Sequence, residues 1–229
     1  MSAIASNLQA VRSRIAKAAI DAGRLPGEIS LLAVSKTWPV DCVIAANRAG
    51  QRAFGENYVQ EAIDKARATV DLDLEWHFIG PLQSNTTRLI AEHFAWVHSI
   101  ERLKIAERLS AQRPPTLPPL QVCVQVNVSG EASKSGCAPM EALALCQAIA
   151  ALPRLNLRGL MAIPEPADDF TAQRAPLRRL REIFATIRAA GLPLDTLSMG
   201  MSHDLEAAVA EGATIVRIGT AIFGERNHA

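Results

Sequence analysis

The sequence lacks any large excess of charge of one sign. Lysine and arginine total 24 and aspartate and glutamate total 23, which leaves a net charge of +1 over 229 residues. Proteins that bind nucleic acid through its phosphates present a strongly basic surface. The near balance therefore argues against a nucleic-acid partner.

Long hydrophobic runs are also lacking. A membrane-spanning helix needs about 18 or more consecutive apolar residues, and the longest apolar run here covers only residues 142–152 before a proline. Near the N-terminus, Arg12, Arg14 and Lys17 interrupt what would be the apolar core of a signal peptide. We therefore expect no membrane association and a cytoplasmic location.

Cysteine pairs with the spacing of a metal site or a redox motif are absent. The four cysteines are far apart in sequence, which predicts reduced and mostly buried thiols. Two of the histidines, His93 and His98, show no ligand spacing either, so no metal site is expected. The cysteines are Cys42, Cys123, Cys137 and Cys146.

Tyrosine is almost absent, since Tyr58 is the single one and aromatic residues make up only 4% of the chain. A reaction that needs a tyrosine side chain must therefore use this one. Hydrophobic residues at 49% and charged residues at 21% are nevertheless near the averages for a soluble globular domain.

Short apolar runs alternate with amphipathic stretches along the whole chain. A leading helix is predicted within residues 1–23, where apolar residues recur at helical spacing over 2–23 and Gly23 follows. Eight strands are predicted at 29–35, 52–55, 74–79, 95–98, 120–128, 156–163, 194–199 and 214–218. Seven helices are predicted between them, at 40–49, 57–69, 84–93, 101–111, 138–151, 170–190 and 203–211.

Eight strand–helix units in one direction imply parallel strands joined by helical crossovers. The fold class is therefore α/β, and we expect a (β/α)8 TIM barrel with an extra N-terminal helix. A single domain over residues 1–229 is expected, with no second domain. The alternative is a doubly wound open sheet, but no GxGxxG motif follows the first strand.

The fifth predicted strand shows two distinct faces. Valines at 122, 124, 126 and 128 alternate with polar residues and suit an outer wall that packs against helices. Gln125 and Asn127 would then point into the barrel. They form either an interior hydrogen-bonded pair or, for Asn127, part of a site at the carboxyl end of the strand.

Lys36 ends the first predicted strand, on the face that carries Leu32 and Val34. If that face is interior, the amine lies in a partly desolvated barrel mouth. Desolvation makes a lysine amine nucleophilic, as a Schiff-base lysine requires. The competing interpretation is an ordinary solvated loop lysine.

Two segments after the seventh and eighth strands predict an anion site. SMGMSHD (198–204) and RIGTAIFG (217–224) offer small residues and backbone N–H groups before predicted helices. The loops at these two positions commonly bind phosphate in barrels. Alternatively, Ser202 is a helix N-cap and Gly219-Thr220 a plain turn.

Three further polar residues have an ordinary structural interpretation beside a functional one. Arg217 on the eighth strand would pair with a carboxylate or donate to a ligand, since an unpaired interior arginine is costly. Asn57 would cap the second helix. His77 on the third strand is by default a structural histidine.

Seven ordered motifs resemble the pyridoxal phosphate homeostasis protein family, single barrels related to the barrel domain of alanine racemase. The resemblance covers nearly the whole chain, from about Leu32 to Arg226. The motifs are AVSKTWP, FGENYVQE, EWHFIGPLQSN, VNVSGEASKSG, RGLMAIP, SMGMSHD and VRIGTAIFGER. Two positions depart from the family pattern, namely Thr86, where lysine is frequent, and His203, where an acidic residue is common.

The resemblance implies a pyridoxal 5′-phosphate cofactor. Lys36 matches the lysine that forms the internal aldimine, and Arg217 matches the arginine that faces the pyridine nitrogen. Asn57 matches a residue near the ring, and Lys134 matches a family lysine near the barrel mouth. The cofactor-binding residues implied are Lys36, Asn57, Met201, Ser202, Arg217, Gly219 and Thr220.

The residue types argue against robust catalysis. Arginine can only donate hydrogen bonds, so Arg217 disfavours protonation of the ring nitrogen and weakens the electron sink. Racemisation also needs a base on each face of the substrate carbon, and in related racemases the second base is a tyrosine from an added domain. The single tyrosine here falls early in the second strand–helix unit.

We therefore interpret the sequence as a pyridoxal phosphate-binding protein that holds, buffers or delivers the cofactor in vitamin B6 and amino-acid homeostasis. The implied partners are the cofactor itself and apo forms of pyridoxal phosphate-dependent enzymes, and the expected state is a monomer. The alternatives are a weak amino-acid racemase and a barrel enzyme for a phosphorylated metabolite that forms no aldimine.

Overall fold

A computed structural model describes residues 2–129 and 135–225, in which strands and helices alternate. The strands are β1 (Ser30–Val34), β2 (Ala53–Glu56), β3 (Glu75–Phe78), β4 (Trp96–Ile100), β5 (Leu120–Gln125), β6 (Leu155–Met161), β7 (Thr196–Ser198) and β8 (Ile215–Ile218). The helices are α1 (Ala3–Asp21), α2 (Val40–Arg48), α3 (Val59–Ala68), α4 (Thr87–His93), α5 (Leu103–Gln112), α6 (Ala142–Ala150), α7 (Phe170–Ala189), α8 (Leu205–Ala210) and α9 (Thr220–Phe223). Short 3-10 helices cover Pro26–Glu28 and Pro139–Glu141.

The strands close into one barrel in sequence order, and β1 pairs in parallel with both β2 and β8. Ser30 lies opposite Ile215 and Ala33 lies opposite Ile218 in the pair that closes the barrel. The prediction of a (β/α)8 barrel with an extra N-terminal helix is confirmed, and the open-sheet alternative is wrong.

Two apolar clusters occupy the two sides of the barrel wall. The larger lies between the strands and the helices, and it includes Val122 and Val124 of β5, as their predicted face requires. The smaller fills the barrel interior and is formed by Leu32, Trp96, Cys123, Met161 and Ile215. Alternation along each strand produces this division, because successive side chains point to opposite faces.

Helix α1 lies across the outside of the barrel next to α2, α8 and α9. Its apolar stripe is buried, with Leu8, Val11 and Ile15 at most 5% exposed. Ser2 begins the helix, since its side chain accepts a hydrogen bond from the Ala5 N–H at 3.3 Å. The leading helix therefore packs on the outside of the barrel, against the helices that lie beside the β8–β1 pair.

Strand β5 ends at Gln125, three residues earlier than predicted. Beyond it Val126 forms an isolated bridge with Cys137, and the Asn127 N–H donates to the Cys137 carbonyl at 3.0 Å. Gln125 is buried and donates to the Ser135 carbonyl at 3.4 Å. The strand therefore ends before Asn127, and the interior orientation of the Asn127 side chain stays a prediction.

The four cysteines are free thiols, and three of them are buried. Burial raises the pKa of Cys137 to about 11 and that of Cys146 to about 12, which makes these thiols unreactive. Within the described residues no group of three or more His, Cys, Asp or Glu side chains is placed to hold a metal ion. In the same part of the chain no helix has the length and apolarity needed to cross a membrane.

Candidate functional site

A cavity of about 250 Å³ opens at the carboxyl ends of the strands, the end of a barrel at which sites form. All seven residues singled out from the sequence line it. They are Lys36, Asn57, Met201, Ser202, Arg217, Gly219 and Thr220. The fold therefore brings together residues that lie up to 184 positions apart in the chain (36 to 220). What each of them binds stays a prediction.

Lys36 follows β1 on a turn of unusual backbone geometry. The next residue, Thr37, has a φ of 68°, a conformation that costs a non-glycine residue about 1–3 kcal/mol. The Thr37 N–H donates to Glu61 Oε1 at 2.6 Å, and the Trp38 N–H donates to the Ser35 carbonyl at 3.1 Å. These bonds hold the turn in a geometry that places Lys36 at the cavity.

A buried ion pair lies directly behind this turn. Lys65 Nζ of α3 donates to Glu56 Oε1 at 2.7 Å, to Glu61 Oε1 at 2.6 Å and to the Ser35 carbonyl at 2.8 Å. The Ser35 hydroxyl also donates to Glu56 Oε1 at 2.7 Å. Burial raises the pKa of the Glu56 carboxyl, whereas the Lys65 ammonium acts in the opposite direction. The cluster thus fixes both residues that flank Lys36.

The loop after β7 folds back on itself before α8 begins. The Met201 N–H donates to Asp204 Oδ1 at 2.6 Å, and Asp204 is the N-cap of α8. The interpretation of Ser202 as that N-cap is therefore wrong, since Ser202 precedes the cap by two residues and lines the cavity.

The loop after β8 is a single residue, Gly219, followed directly by α9 at Thr220. A Cβ at Gly219 would meet the Val34 carbonyl oxygen at 3.0 Å, so the absence of a side chain lets this backbone pass close to β1. The first N–H groups of a helix have no partner within the helix and carry partial positive charge. Gly219 and Thr220 thus line the cavity at the start of α9, and their binding of an anion stays a prediction.

Helix α1 holds both of these loops from outside. Arg14 Nη1 donates to the Ser202 carbonyl at 2.9 Å, while its Nε donates to Glu206 Oε1 of α8 at 2.6 Å. Asn7 Nδ2 donates to the Ile222 carbonyl of α9 at 2.9 Å. The sequence analysis missed these contacts, because nothing in the local pattern pairs α1 with segments about 190 residues away.

Arg217 is 4% exposed and lies in the wall of the cavity. Its Nη1 donates to Ser198 Oγ at 2.8 Å and its Nη2 donates to the Ala162 carbonyl at 2.9 Å. The sequence analysis predicted that Arg217 pairs with a carboxylate or donates to a ligand. In the structure its protein partners are a hydroxyl and a backbone carbonyl. Burial lowers the pKa of Arg217 to about 10, so the guanidinium stays charged at neutral pH.

Asn57 follows β2, and α3 begins only at Val59 with Tyr58 as its N-cap, so the predicted capping role of Asn57 is wrong. Its backbone lies so close to Gly80 that a Cβ there would clash with it. Its Oδ1 is buried without a hydrogen-bond partner. An unpaired buried acceptor costs about 1–3 kcal/mol, which a donor on a ligand would recover.

Two buried histidines continue the contacts of Arg217 into the barrel. His98 Nδ1 lies 2.7 Å from Ser198 Oγ, and its Nε2 lies 2.9 Å from His77 Nδ1. The default interpretation of His77 as a structural residue fits its complete burial, but His98 was considered only as a metal ligand. These side chains meet inside the barrel from the neighbouring strands β3 and β4 and from the more distant strand β7, and no sequence spacing reveals this contact.

Four other residues line the cavity that the sequence analysis did not predict to bind the cofactor. Val34, Ile79 and Ile163 follow or end strands β1, β3 and β6, and His203 lies in the loop before α8. The rule that barrel sites form at the carboxyl ends of strands was enough to find the first three. Lys134, which the family resemblance placed near the barrel mouth, lies outside the described residues.

Lowering the pH below about 6.5 is expected to destabilise the fold through the buried histidines. Burial lowers the pKa of His77 and lowers that of His98 well below its ordinary value. Below about pH 6.5 the unfolded chain binds protons that the folded chain does not, so stability falls as pH falls. The expected loss is up to about 1.4 kcal/mol per pH unit for each histidine. Denaturant unfolding between pH 7.5 and 5 measures it.

Two matched variants accompany this measurement. His98→Asn should lose one histidine's contribution to the slope of the unfolding free energy against pH. His93→Asn, on the exposed surface, should keep the slope of the wild type. Comparing slopes cancels the contribution of other groups that titrate in this range. Equal slopes in all three proteins would contradict the expectation.

The closed barrel, with a lysine and the loops after β7 and β8 lining one cavity, is of the class of the alanine racemase-like barrels. The family model described as alanine racemase, N-terminal domain, matches residues 1–227. A curated relative from Pseudomonas aeruginosa is 62% identical over 228 residues, covering 100% of this chain and 98% of its own length. One from Escherichia coli K12 is 55% identical, covering 100% and 99%. Both are named pyridoxal phosphate homeostasis protein, and the chain belongs to that family.

Solved structures agree with this assignment. The structure of PipY from Synechococcus elongatus with pyridoxal phosphate bound has a TM-score of 0.85 at 38% identity, covering 96% of this chain and 100% of its own. Alanine racemase from Corynebacterium glutamicum has a TM-score of 0.72 at 19% identity, and the match covers 98% of this chain but 60% of the racemase. The second likeness concerns the fold alone.

Proposed function

We propose that this chain binds pyridoxal 5′-phosphate in the cavity, with Lys36 as the covalent attachment point, and holds or delivers it in vitamin B6 homeostasis. The observation that carries the proposal is the convergence on one cavity of a lysine amine, a buried arginine and two anion-binding loops. The pyridoxal phosphate bound to PipY, a relative at 38% identity over 96% of this chain, supports it.

The residues present fit this group. Ser202, Gly219 and Thr220 offer hydroxyl and backbone donors to a phosphate. The buried Asn57 Oδ1, which has no hydrogen-bond partner, offers an acceptor to a donor on the ligand. Lys36 completes the set as a primary amine on a constrained turn.

Pyridoxal phosphate, when bound, supplies an aldehyde that condenses with a primary amine and a ring that withdraws electrons. Lys36 supplies the amine. Arg217 would donate to the ring nitrogen and orient it, and because a guanidinium stays protonated it would give that nitrogen no proton. The hydrogen bonds from α1 to the two loops keep the phosphate donors in place. Together these residues favour binding over carbanion chemistry.

The racemase alternative is not favoured. The single tyrosine, Tyr58, is 57% exposed and is not among the residues that line the cavity in the described part of the chain. The relatives with high identity are named for homeostasis, and the likeness to alanine racemases is in the fold only. We therefore propose a carrier that binds and releases the cofactor without turnover. The recipients of the cofactor would be apo enzymes that use pyridoxal phosphate. The proposed state is a monomer.

Binding is expected to depend strongly on the phosphate group. Charge-assisted hydrogen bonds contribute about 1.5–3 kcal/mol each, so pyridoxal phosphate should bind at least about tenfold more tightly than pyridoxal. Equilibrium dialysis of the purified chain against each compound measures this ratio. Equal affinities, or no uptake of pyridoxal phosphate, would overturn the proposed site.

The absence of robust turnover is tested separately. We expect the loaded protein to exchange the α-proton of added amino acids with heavy water no faster than free pyridoxal phosphate does. Proton NMR of L- and D-alanine follows the exchange, and an authentic racemase is the positive control. Rapid exchange with interconversion of the enantiomers would replace the carrier by an enzyme.

A further inference from the structure

Four side chains form a continuous chain of hydrogen bonds to the Arg217 guanidinium, beginning at the end of the barrel where the amino ends of the strands lie. His77 Nε2 lies 2.8 Å from Glu75 Oε1, His77 Nδ1 lies 2.9 Å from His98 Nε2, and His98 Nδ1 lies 2.7 Å from Ser198 Oγ. Ser198 Oγ accepts from Arg217 Nη1 at 2.8 Å. We call Glu75, His77, His98 and Ser198 the relay. It runs from a groove at the amino ends of the strands, which Glu75 lines, to the cavity that Arg217 lines.

The chemistry of the two ends fixes the direction of every bond between them. An arginine only donates and an ionised carboxylate only accepts. His77 therefore donates from Nε2 to Glu75, which leaves its Nδ1 as an acceptor for His98 Nε2–H. His98 Nδ1 then accepts from the Ser198 hydroxyl, whose oxygen accepts from Arg217. Both imidazoles hold the same tautomer, with the hydrogen on Nε2.

Burial keeps both imidazoles neutral, as this assignment requires. His77 is 3% exposed and His98 is fully buried, and His77 stacks on Trp96 with ring centroids 5.3 Å apart. Three charged groups surround His77 and His98. Glu75 and, farther off, Arg158 lie towards the amino ends of the strands, and Arg217 lies towards the carboxyl ends. A proton on His98 would face the Arg217 cation, which lowers its pKa further.

We propose that the relay residues are positioning residues that fix the orientation of the Arg217 guanidinium in the cavity wall. Glu75 determines the tautomers, and the tautomers make the Ser198 hydroxyl point away from Arg217, so that its oxygen is free to accept. This extends the proposed function, because Arg217 is there the group that faces the ring of the cofactor. The carboxylate that controls it is at the opposite end of the barrel.

Removing the Glu75 carboxylate makes the opposite assignment available. With no fixed acceptor at His77 Nε2, the hydrogens of both imidazoles can move to Nδ1, and His98 then donates to Ser198 Oγ. Ser198 Oγ must then accept from both His98 and Arg217, which its two lone pairs permit, and the serine hydrogen loses His98 as its acceptor. The shared bond from Arg217 is weaker than in the wild type, and the guanidinium gains rotational freedom.

The test uses the cofactor-free protein labelled with ¹⁵N and observed by NMR. In the wild type we expect both imidazoles to show the Nε2–H tautomer and the Arg217 guanidinium to show separate, slowly exchanging Nη signals. Glu75→Ala should shift both imidazoles towards a mixture of tautomers and cause loss of the separate Arg217 signals. Glu75→Gln should rescue both readouts, because its amide oxygen still accepts from His77.

Glu92→Ala is the matched control, since Glu92 lines the same groove and no hydrogen bond joins it to the histidines among the described residues. Glu75 has a side chain 51% exposed, so its substitution should leave the fold intact. An Nδ1–H tautomer for either histidine in the wild type, or Glu75→Ala spectra identical to those of the wild type, would overturn the proposal.

Titration with pyridoxal phosphate separates this inference from the proposed function. Ser198→Ala should weaken cofactor binding at least about tenfold, the value of one hydrogen bond to a charged group, and should leave the His77 tautomer unchanged. Failure of the wild type to bind the cofactor, with the expected spectra, would overturn the proposed function and uphold the relay. Unchanged affinity in Ser198→Ala would overturn the link between the relay and binding.

Discussion

The Lys36→Ala variant is expected to lose covalent attachment of pyridoxal phosphate completely. An aldehyde condenses reversibly with an amine, and borohydride reduction makes the resulting bond permanent. Among the described residues that line the cavity, only Lys36 carries a primary amine. Mass spectrometry of reduced, digested protein should therefore find the modification at Lys36 in the wild type and none in the variant, which should also be colourless.

Two variants control this experiment. Lys36→Arg keeps the positive charge without a primary amine, so it should retain phosphate-dependent binding but lose the covalent bond. Lys17→Ala, on the exposed face of α1 with a side chain 76% exposed, should behave as the wild type does. Stoichiometric modification of another lysine in Lys36→Ala, with an unchanged absorption spectrum, would contradict the assignment of Lys36.

Lys65→Met is expected to reduce the free energy of unfolding by about 3–5 kcal/mol, the typical cost of removing one partner of a buried ion pair. The Lys65 side chain is 6% exposed and that of Glu56 is fully buried, and methionine leaves the Glu56 carboxylate without its cation. The Ser35 carbonyl loses a donor in the same change. Denaturant unfolding followed by circular dichroism measures the loss.

The double variant Glu56→Gln with Lys65→Met should recover part of this loss, because a neutral amide is less costly to bury than an unpaired carboxylate. Lys104→Met on the exposed face of α5 is the surface control and should change stability by less than about 0.5 kcal/mol. A loss of under about 1 kcal/mol in the single variant would show that the Lys65–Glu56 pair is solvated.

This ion pair has a functional side, because it lies behind the turn that carries Lys36. Glu61, which Lys65 holds, accepts from the N–H of Thr37, and Thr37 has the positive φ. The interactions that offset this strain are thus the ones that position the attachment lysine. Stability and site geometry share the same residues here, which agrees with the general clustering of strain at functional sites.

The sequence by itself determined the fold class and most of the site. Alternating apolar runs and helical stripes indicated eight strand–helix units, since period and length distinguish strand from helix locally. Once the units were counted, the barrel's rule that sites form at the carboxyl ends of strands selected Lys36, Gly219 and Thr220. The family motifs added Asn57 and Met201, which no local pattern identifies.

The tertiary structure alone decided which polar groups are partners. The contacts of Arg14 with Ser202 and of Lys65 with Glu56, and the series from Glu75 to Arg217, join residues on different strands and helices. Their register depends on how the barrel closes, and a single sequence carries no periodic signal of it. The end of β5 at Gln125 is another example, because the bridge between Val126 and Cys137 interrupts a strand pattern that continues to Val128. Local sequence patterns therefore predict the strands and helices, whereas the hydrogen-bond network that positions Arg217 depends on how they pack.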